Sequence, residues 1–250
     1  MISPEFTIII PARYASTRLP GKPLRDVAGK PLIVRVIEAA SASTAQRIIV
    51  ATDDTRIASV VHGTSAEVCM TDPGHRSGTD RIAEVITQLA LDDNTLIVNL
   101  QGDEPQVPAC LIEQLAACLN DRSVQMASLC TPLTTEHQID DPSVVKVVRD
   151  VQHFALYFSR SVIPFQCHGR PEYSRLRRHL GLYAYRAGFV KIFAAWSVSP
   201  LEQEEKLEQL RVLWHGARIL VPDALQVPPP GVDTPQDLAR VSNDFASSKK

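Results

Sequence analysis

The first half of the chain alternates short apolar runs with longer stretches whose apolar positions recur every three or four residues. FTIII at residues 6–10 is continuously apolar, as a strand buried on both faces should be. RIIVAT (47–52), AEVCM (66–70) and TLIVNL (95–100) read as three further strands. Between them the spacing predicts helices. One is opened by Pro31 and runs to residue 40, with Leu32, Val36, Ala39 and Ala40 on one side. A second, capped by Asp53 or Asp54, carries Ile57, Val60 and Val61. Two more cover 79–91 and 108–119. Strands alternating with helices through short links predict an α/β fold: a mostly parallel, Rossmann-like sheet with helices on both faces. Right-handed crossovers gather the C-terminal ends of such strands on one edge, where ligands bind.

From about Met126 the rhythm changes. MASLCTPL, VVKVVRD, FALYFSR and HLGLYAYR read as strands with no long helices between them, a mixed or antiparallel extension of the sheet. A helix is predicted over 201–215, with Leu207, Leu210 and Trp214 on one face. ARILV is a late strand, and Asp233 or Thr234 caps a last helix running to about residue 245. No linker, repeat or low-complexity tract divides the sequence. Residues 1–250 read as one domain, with 126–190 as the extension and a candidate oligomer surface.

Composition narrows the function. The chain has 250 residues, 44% apolar and 22% charged, with a formal charge of −2 and a sequence pI near 6.4. That balance argues against nucleic acid as the main partner. The five cysteines, Cys69, Cys110, Cys118, Cys130 and Cys167, are scattered and form no C-x-x-C pair, so neither a disulfide framework nor a zinc site is expected. The apolar run at the N-terminus is too short for a secretory core, and no stretch approaches a membrane span. The expectation is a soluble cytoplasmic protein.

Three loops carry candidate chemistry. PARYASTRLPGKPL (11–24) follows the first strand and offers Arg13, Arg18 and Lys22 among small residues. Backbone N–H groups and cations there suit a polyphosphate, although the loop matches neither G-x-x-x-x-G-K-[ST] nor G-x-G-x-x-G. QGDEP (101–105) follows the fourth strand and places Asp103 and Glu104 at the same sheet edge, where a carboxylate suits Mg²⁺. PPPGVDTPQDL (228–238) holds Asp233 in a proline-stiffened setting. RSGTDR (76–81) opens a helix, with Ser77 and Thr79 as candidate caps and as hydroxyls able to read a nucleobase.

These segments, with YFSRSVIP (157–164), HLGLYAYR (179–186) and LEQLR (207–211), resemble the 3-deoxy-manno-octulosonate cytidylyltransferase family in order over residues 6–241. The resemblance implies a homodimer that uses Mg²⁺ and CTP. It would activate 3-deoxy-D-manno-octulosonate (KDO) as CMP-KDO for lipopolysaccharide synthesis, releasing pyrophosphate. Carried onto this sequence, it assigns Arg13 and Lys22 to the triphosphate. Pro11, Ala12, Ser16, Arg76, Ser77, Gly78 and Thr79 fall to the rest of the nucleotide, and Asp103 and Asp233 to the metal. Gln101, Arg160, His179, Tyr183, Tyr185, Glu208 and Gln209 would line the sugar-acid site. Asp103-Glu104-Pro105 does not match the D-x-D motif of glycosyltransferases.

Overall fold

In β1 (Phe6–Ala12), Ile8 and Ile10 point to one face of the sheet and Ile9 to the other, and all three are fully buried. That follows from the two-residue period of a strand covered on both sides. The structure is a computed structural model describing residues 4–15, 19–169 and 171–247. After β1, a two-residue hairpin of β2 (Asp26–Val27) and β3 (Lys30–Pro31) leads into α1 (Leu32–Ser41). β4 (Arg47–Thr52), α2 (Thr55–Val61), β5 (Glu67–Met70), α3 (Gly78–Gln88), β6 (Leu96–Asn99) and α4 (Ala109–Cys118) complete the alternating half. β5, β4, β1 and β6 are parallel neighbours in that order. One face packs on Ile33, Val36 and Ile37 of α1, Ile57 and Val61 of α2, and Leu111 and Leu115 of α4. The other packs on Ile82, Val85 and Ile86 of α3.

The second half adds β7 (Met126–Pro132), β8 (Lys146–Arg149), β9 (Ala155–Ser159) and β10 (Arg177–Arg186). β10 runs antiparallel to β6, β7 and β8, so the extension is antiparallel and joins the parallel half through β10. α5 (Ala187–Ala195), α6 (Pro200–Glu205), α7 (Leu210–Trp214) and α8 (Pro235–Ser247) follow.

Three elements differ from the sequence reading. α5 has no counterpart there; its sequence AGFVKIFAA carries little polar signal because Phe189, Val190 and Phe193 are buried in the same core as α3. The helix expected over 201–215 is broken. Lys206 adopts a left-handed φ of 53°, and α6 and α7 flank it. The break has a tertiary cause. The Glu205 carboxylate accepts from the Ser159 hydroxyl and the Arg160 backbone N–H. The Arg160 guanidinium takes the carbonyls of Glu205 and Lys206. The ARILV strand is reduced to bridges. Leu220 pairs backbone to backbone with Met126 and Ser128, but Pro222 lacks the N–H needed to extend a ladder.

Candidate active site

The ends of β1 and β6 and the start of α3 open onto a cleft of about 270 Å³. Its walls include Pro11, Ala12 and Arg13 after β1, Arg76, Ser77 and Gly78 at α3, and Gln101 and Asp103 after β6, together with Lys22 and Asp233. This is the sheet edge expected from topology. Ser16 lies outside the described residues.

Each wall is held by a local device. Gly21 takes a left-handed φ of 64°, which glycine adopts without strain, and turns the chain so that Lys22 opens a short 3-10 turn. A Cβ at Gly102 would stand 2.9 Å from the Pro11 carbonyl oxygen, so only glycine lets the 101–105 turn close on the end of β1. Ser77 caps α3 by accepting from the Asp80 N–H. Thr79, the other candidate cap, lies inside the helix, and its hydroxyl donates to Glu208 Oε2 at 2.9 Å.

Asp233 arrives by a different route. Val232 is buried with Leu19, Val27, Leu32 and Val241, which anchors the segment under α8. The Val232 N–H donates to the Asp103 carbonyl at 2.8 Å. Thr234 rather than Asp233 caps α8: its hydroxyl accepts from the Asp237 N–H at 3.2 Å, and its own N–H donates to Asp237 Oδ2 at 3.0 Å. Asp233 therefore turns to the cleft. Lys22 Nζ meets Asp103 Oδ2 at 2.6 Å, Asp233 Oδ1 at 3.1 Å and the Val232 carbonyl at 2.9 Å.

Among the described residues no three His, Cys, Asp or Glu side chains group as a metal site. The pair Asp103–Asp233 nevertheless fits Mg²⁺, which takes oxygen ligands and binds through one or two carboxylates with phosphate and water completing its shell. Both carboxylates already converge on one cation, Lys22 Nζ. Glu104 beside them has its carboxyl pushed up to about 8, mainly by burial and then by the Asp103 charge.

The residues expected at the sugar-acid site form a second group behind the cleft. Gln101 lines the cleft and donates to Asn99 Oδ1 at 3.3 Å. Asn99 pairs with Tyr183 across β6 and β10. The rings of His179, Tyr183 and Tyr185 follow one another at 5.5 and 5.9 Å between centroids. Burial lowers His179 to about 3, and its Nε2 lies 2.9 Å from the Ser128 hydroxyl. Burial raises both tyrosines, and the Tyr185 hydroxyl also bonds Asn99 and Thr79. Burial raises Glu208 despite hydrogen bonds from Ser77 and Thr79. Gln209 is buried at the start of α7. Arg160 stands apart. Its three nitrogens donate to the carbonyls of Glu205, Pro142 and Lys206.

The sequence reading missed three cleft residues, His75, Arg81 and Gly102. His75 Nε2 lies 2.5 Å from Glu84 Oε2, which also accepts the Asp72 N–H and so fastens the loop before α3. Arg81 is buried, bonded to the Thr71 hydroxyl and to Asp53 Oδ2 at 3.1 Å. The signal for Arg81 was its position three residues after Gly78, on the same helix face.

A family model described as cytidylyltransferase matches residues 7–219. The chain belongs to the cytidylyltransferase family. This cytidylyltransferase is therefore a nucleotidyltransferase, and its closeness to solved structures extends over nearly the whole chain. It is similar to CMP:2-keto-3-deoxy-manno-octonic acid synthetase complexed with CTP at 39% identity and a TM-score of 0.90, over 98% of this chain and 100% of that one. Two more distant structures share the fold, each with a TM-score of 0.63 over 97% of this chain. One is 4-diphosphocytidyl-2C-methyl-D-erythritol synthase from Anaerococcus prevotii, at 12% identity over 99% of its own chain. The other is a cytidylyltransferase from Leptospira borgpetersenii, at 14% identity over 87% of its own chain. The family likeness read from the loops is borne out. No helix among the described residues is long and apolar enough to cross a membrane.

Proposed function

We propose that this cytidylyltransferase transfers CMP from CTP to KDO, giving CMP-KDO and pyrophosphate for lipopolysaccharide synthesis. The observation that carries the reading is the convergence of Lys22, Asp103 and Asp233 in one cleft, in a chain 39% identical to a CMP:2-keto-3-deoxy-manno-octonic acid synthetase complexed with CTP.

The anomeric hydroxyl attacks the α-phosphorus in line. A new P–O bond forms, the bond to the bridging oxygen breaks, and pyrophosphate leaves with the electron pair. The hydroxyl proton is released to solvent. The chain's work is positioning and charge neutralisation. Arg13 and Lys22 bind the β- and γ-phosphates and offset charge on the leaving group. Pro11, Ala12, Arg76, Ser77, Gly78 and Thr79 hold the nucleoside end. Mg²⁺, held by Asp103 and Asp233, supplies charge neutralisation at the phosphates when bound. Gln101, His179, Tyr183, Tyr185, Glu208 and Gln209 receive the sugar acid, and Arg160 holds the 205–206 segment that leads to Glu208. The buried neutral His179 acts as a hydrogen-bonding group rather than a cation, because burial opposes its protonation.

We further read residues 1–250 as one domain, working in the cytoplasm as a homodimer joined through the 126–190 extension. The test is a matrix of CTP, UTP and ATP against KDO, its amino analogue and sialic acid, scored by pyrophosphate release. Release confined to CTP with KDO supports the reading. Release with sialic acid instead would reassign the acceptor, and nucleotide binding with no release would make the chain a sensor.

A further inference from the structure

The ammonium of Lys22 has three protons, and three oxygens receive them: Asp103 Oδ2 at 2.6 Å, Val232 O at 2.9 Å and Asp233 Oδ1 at 3.1 Å. The arrangement is a small oxygen cradle with a cation in it. Its parts come from three places in the chain and are held by independent devices: the Gly21 turn, the tight approach of Gly102 to Pro11, and the buried Val232 plug. The cradle is therefore built, and it does not depend on Lys22 alone for its shape. The Val232 N–H bond to the Asp103 carbonyl locks two of its walls together.

The two carboxylates are also the pair suited to a divalent ion. Asp103 and Asp233 side chains are 30% and 48% exposed, against 15% for Lys22, so solvent reaches the acidic side of the cradle more easily than the lysine head. An ammonium within 3.1 Å of both carboxylates and a divalent ion bound to both would stand too close for like charges to share the space. Each must exclude the other.

We propose that Lys22 is the built-in competitor of the divalent cation: its ammonium holds the Asp103–Asp233 cradle and is drawn out by the triphosphate, so that metal binds tightly only together with nucleotide. The inference rests on the reading of Asp103 and Asp233 as the metal carboxylates and of Lys22 as a triphosphate ligand. By linkage, nucleotide that removes Lys22 from the cradle tightens metal, and metal tightens nucleotide, by the same factor. Lysine suits this exchange because its flexible four-carbon stem carries a point charge that can be re-aimed, whereas a guanidinium fork would be committed to one geometry. The arrangement keeps two neighbouring carboxylates neutralised whichever cation is present.

The experiment is direct binding of Mn²⁺, read by the loss of its free EPR signal, to the full chain without nucleotide. Wild type should bind weakly. Lys22→Met should bind more tightly by a factor on the order of 5–150, the usual size of a coupling between two ligands. The gain should vanish in Lys22→Met/Asp103→Asn. Mn²⁺ should also raise the melting temperature of Lys22→Met and leave that of wild type nearly unchanged, which reports on the folded population of the variant. Equal Mn²⁺ affinity in wild type and a folded Lys22→Met protein would overturn the proposal. The underlying metal reading is tested separately in wild type with CTP present. Mn²⁺ binding there that is insensitive to Asp103→Asn would remove the carboxylates from the metal site, and the competition with it. Asp103-dependent binding with CTP, combined with no gain from Lys22→Met, would leave the metal site standing and reject only the competition.

Discussion

The Thr79 hydroxyl donates to Glu208 Oε2 at 2.9 Å across 129 positions of sequence. Thr79 belongs to the first turn of α3, at the proposed nucleoside end. Glu208 belongs to the segment between α6 and α7, at the proposed acceptor end. The bond joins the two halves of the site, and it does so at a costly carboxylate: Glu208 is raised by burial, and its Oε1 lacks a hydrogen-bond partner among the described residues. Thr79→Val should therefore lower stability by about 1–3 kcal/mol, the cost of leaving a buried polar group unsatisfied. It should raise the KM for CTP and for the acceptor together. A double-mutant cycle with Glu208→Gln should give a coupling of about 0.5–3 kcal/mol. Additive losses would mean that the contact does not link the two halves.

Lys22→Ala should lower turnover by roughly two to three decades with the fold retained, since loss of charge stabilisation of this kind is worth about 3–4 kcal/mol. Steady-state rates at saturating CTP check this. Rates near wild type would take Lys22 out of the reaction.

Asp103→Asn and Asp233→Asn should each cut activity severely, and the double variant should be little worse than either one. Both carboxylates contact the same cation position, so one function is lost once. Fully additive losses would assign them separate roles.

Arg160→Lys keeps the charge and loses the fork that reaches three backbone carbonyls. The expected outcome is about 1–3 kcal/mol of lost stability and a higher acceptor KM, with CTP affinity unchanged. Weaker CTP binding with an unchanged acceptor KM would place Arg160 in the nucleotide half.

The sequence made the parallel half legible because its strands are buried on both faces and its helices keep a polar side. β4 spans the residues 47–52 read from RIIVAT. α5 was hidden by its nearly uniform apolar character, and the break at Lys206 by its cause, since Arg160 and Glu205 act on each other from distant parts of the chain. The same distinction holds in the cleft. Lys22, Asp103 and Asp233 sit in loops whose glycines and prolines mark them as shaped. His75 was hidden because its partner Glu84 gave no local pattern, whereas Arg81 carried the local signal of its spacing from Gly78.

His179 gives a pH dependence with a definite sign. Its ordinary value near 6.5 falls to about 3 in the folded chain, so the unfolded chain takes up the proton first. Stability from this group is present above about pH 6.5 and is lost as pH falls toward 3, by at most about 1.4 kcal/mol per pH unit. Melting temperatures from pH 7.5 to 5 should fall more steeply for wild type than for His179→Gln. Parallel curves would show that the imidazole titrates normally in the folded protein.

Cytidylyl transfer to a sugar acid is tested most directly by ³¹P NMR of the purified protein with CTP, Mg²⁺ and KDO. The expected result is a new phosphodiester resonance growing one-to-one with pyrophosphate, absent when KDO is withheld. Release of inorganic phosphate with CDP, or an unchanged CTP spectrum while the protein remains folded, would contradict it.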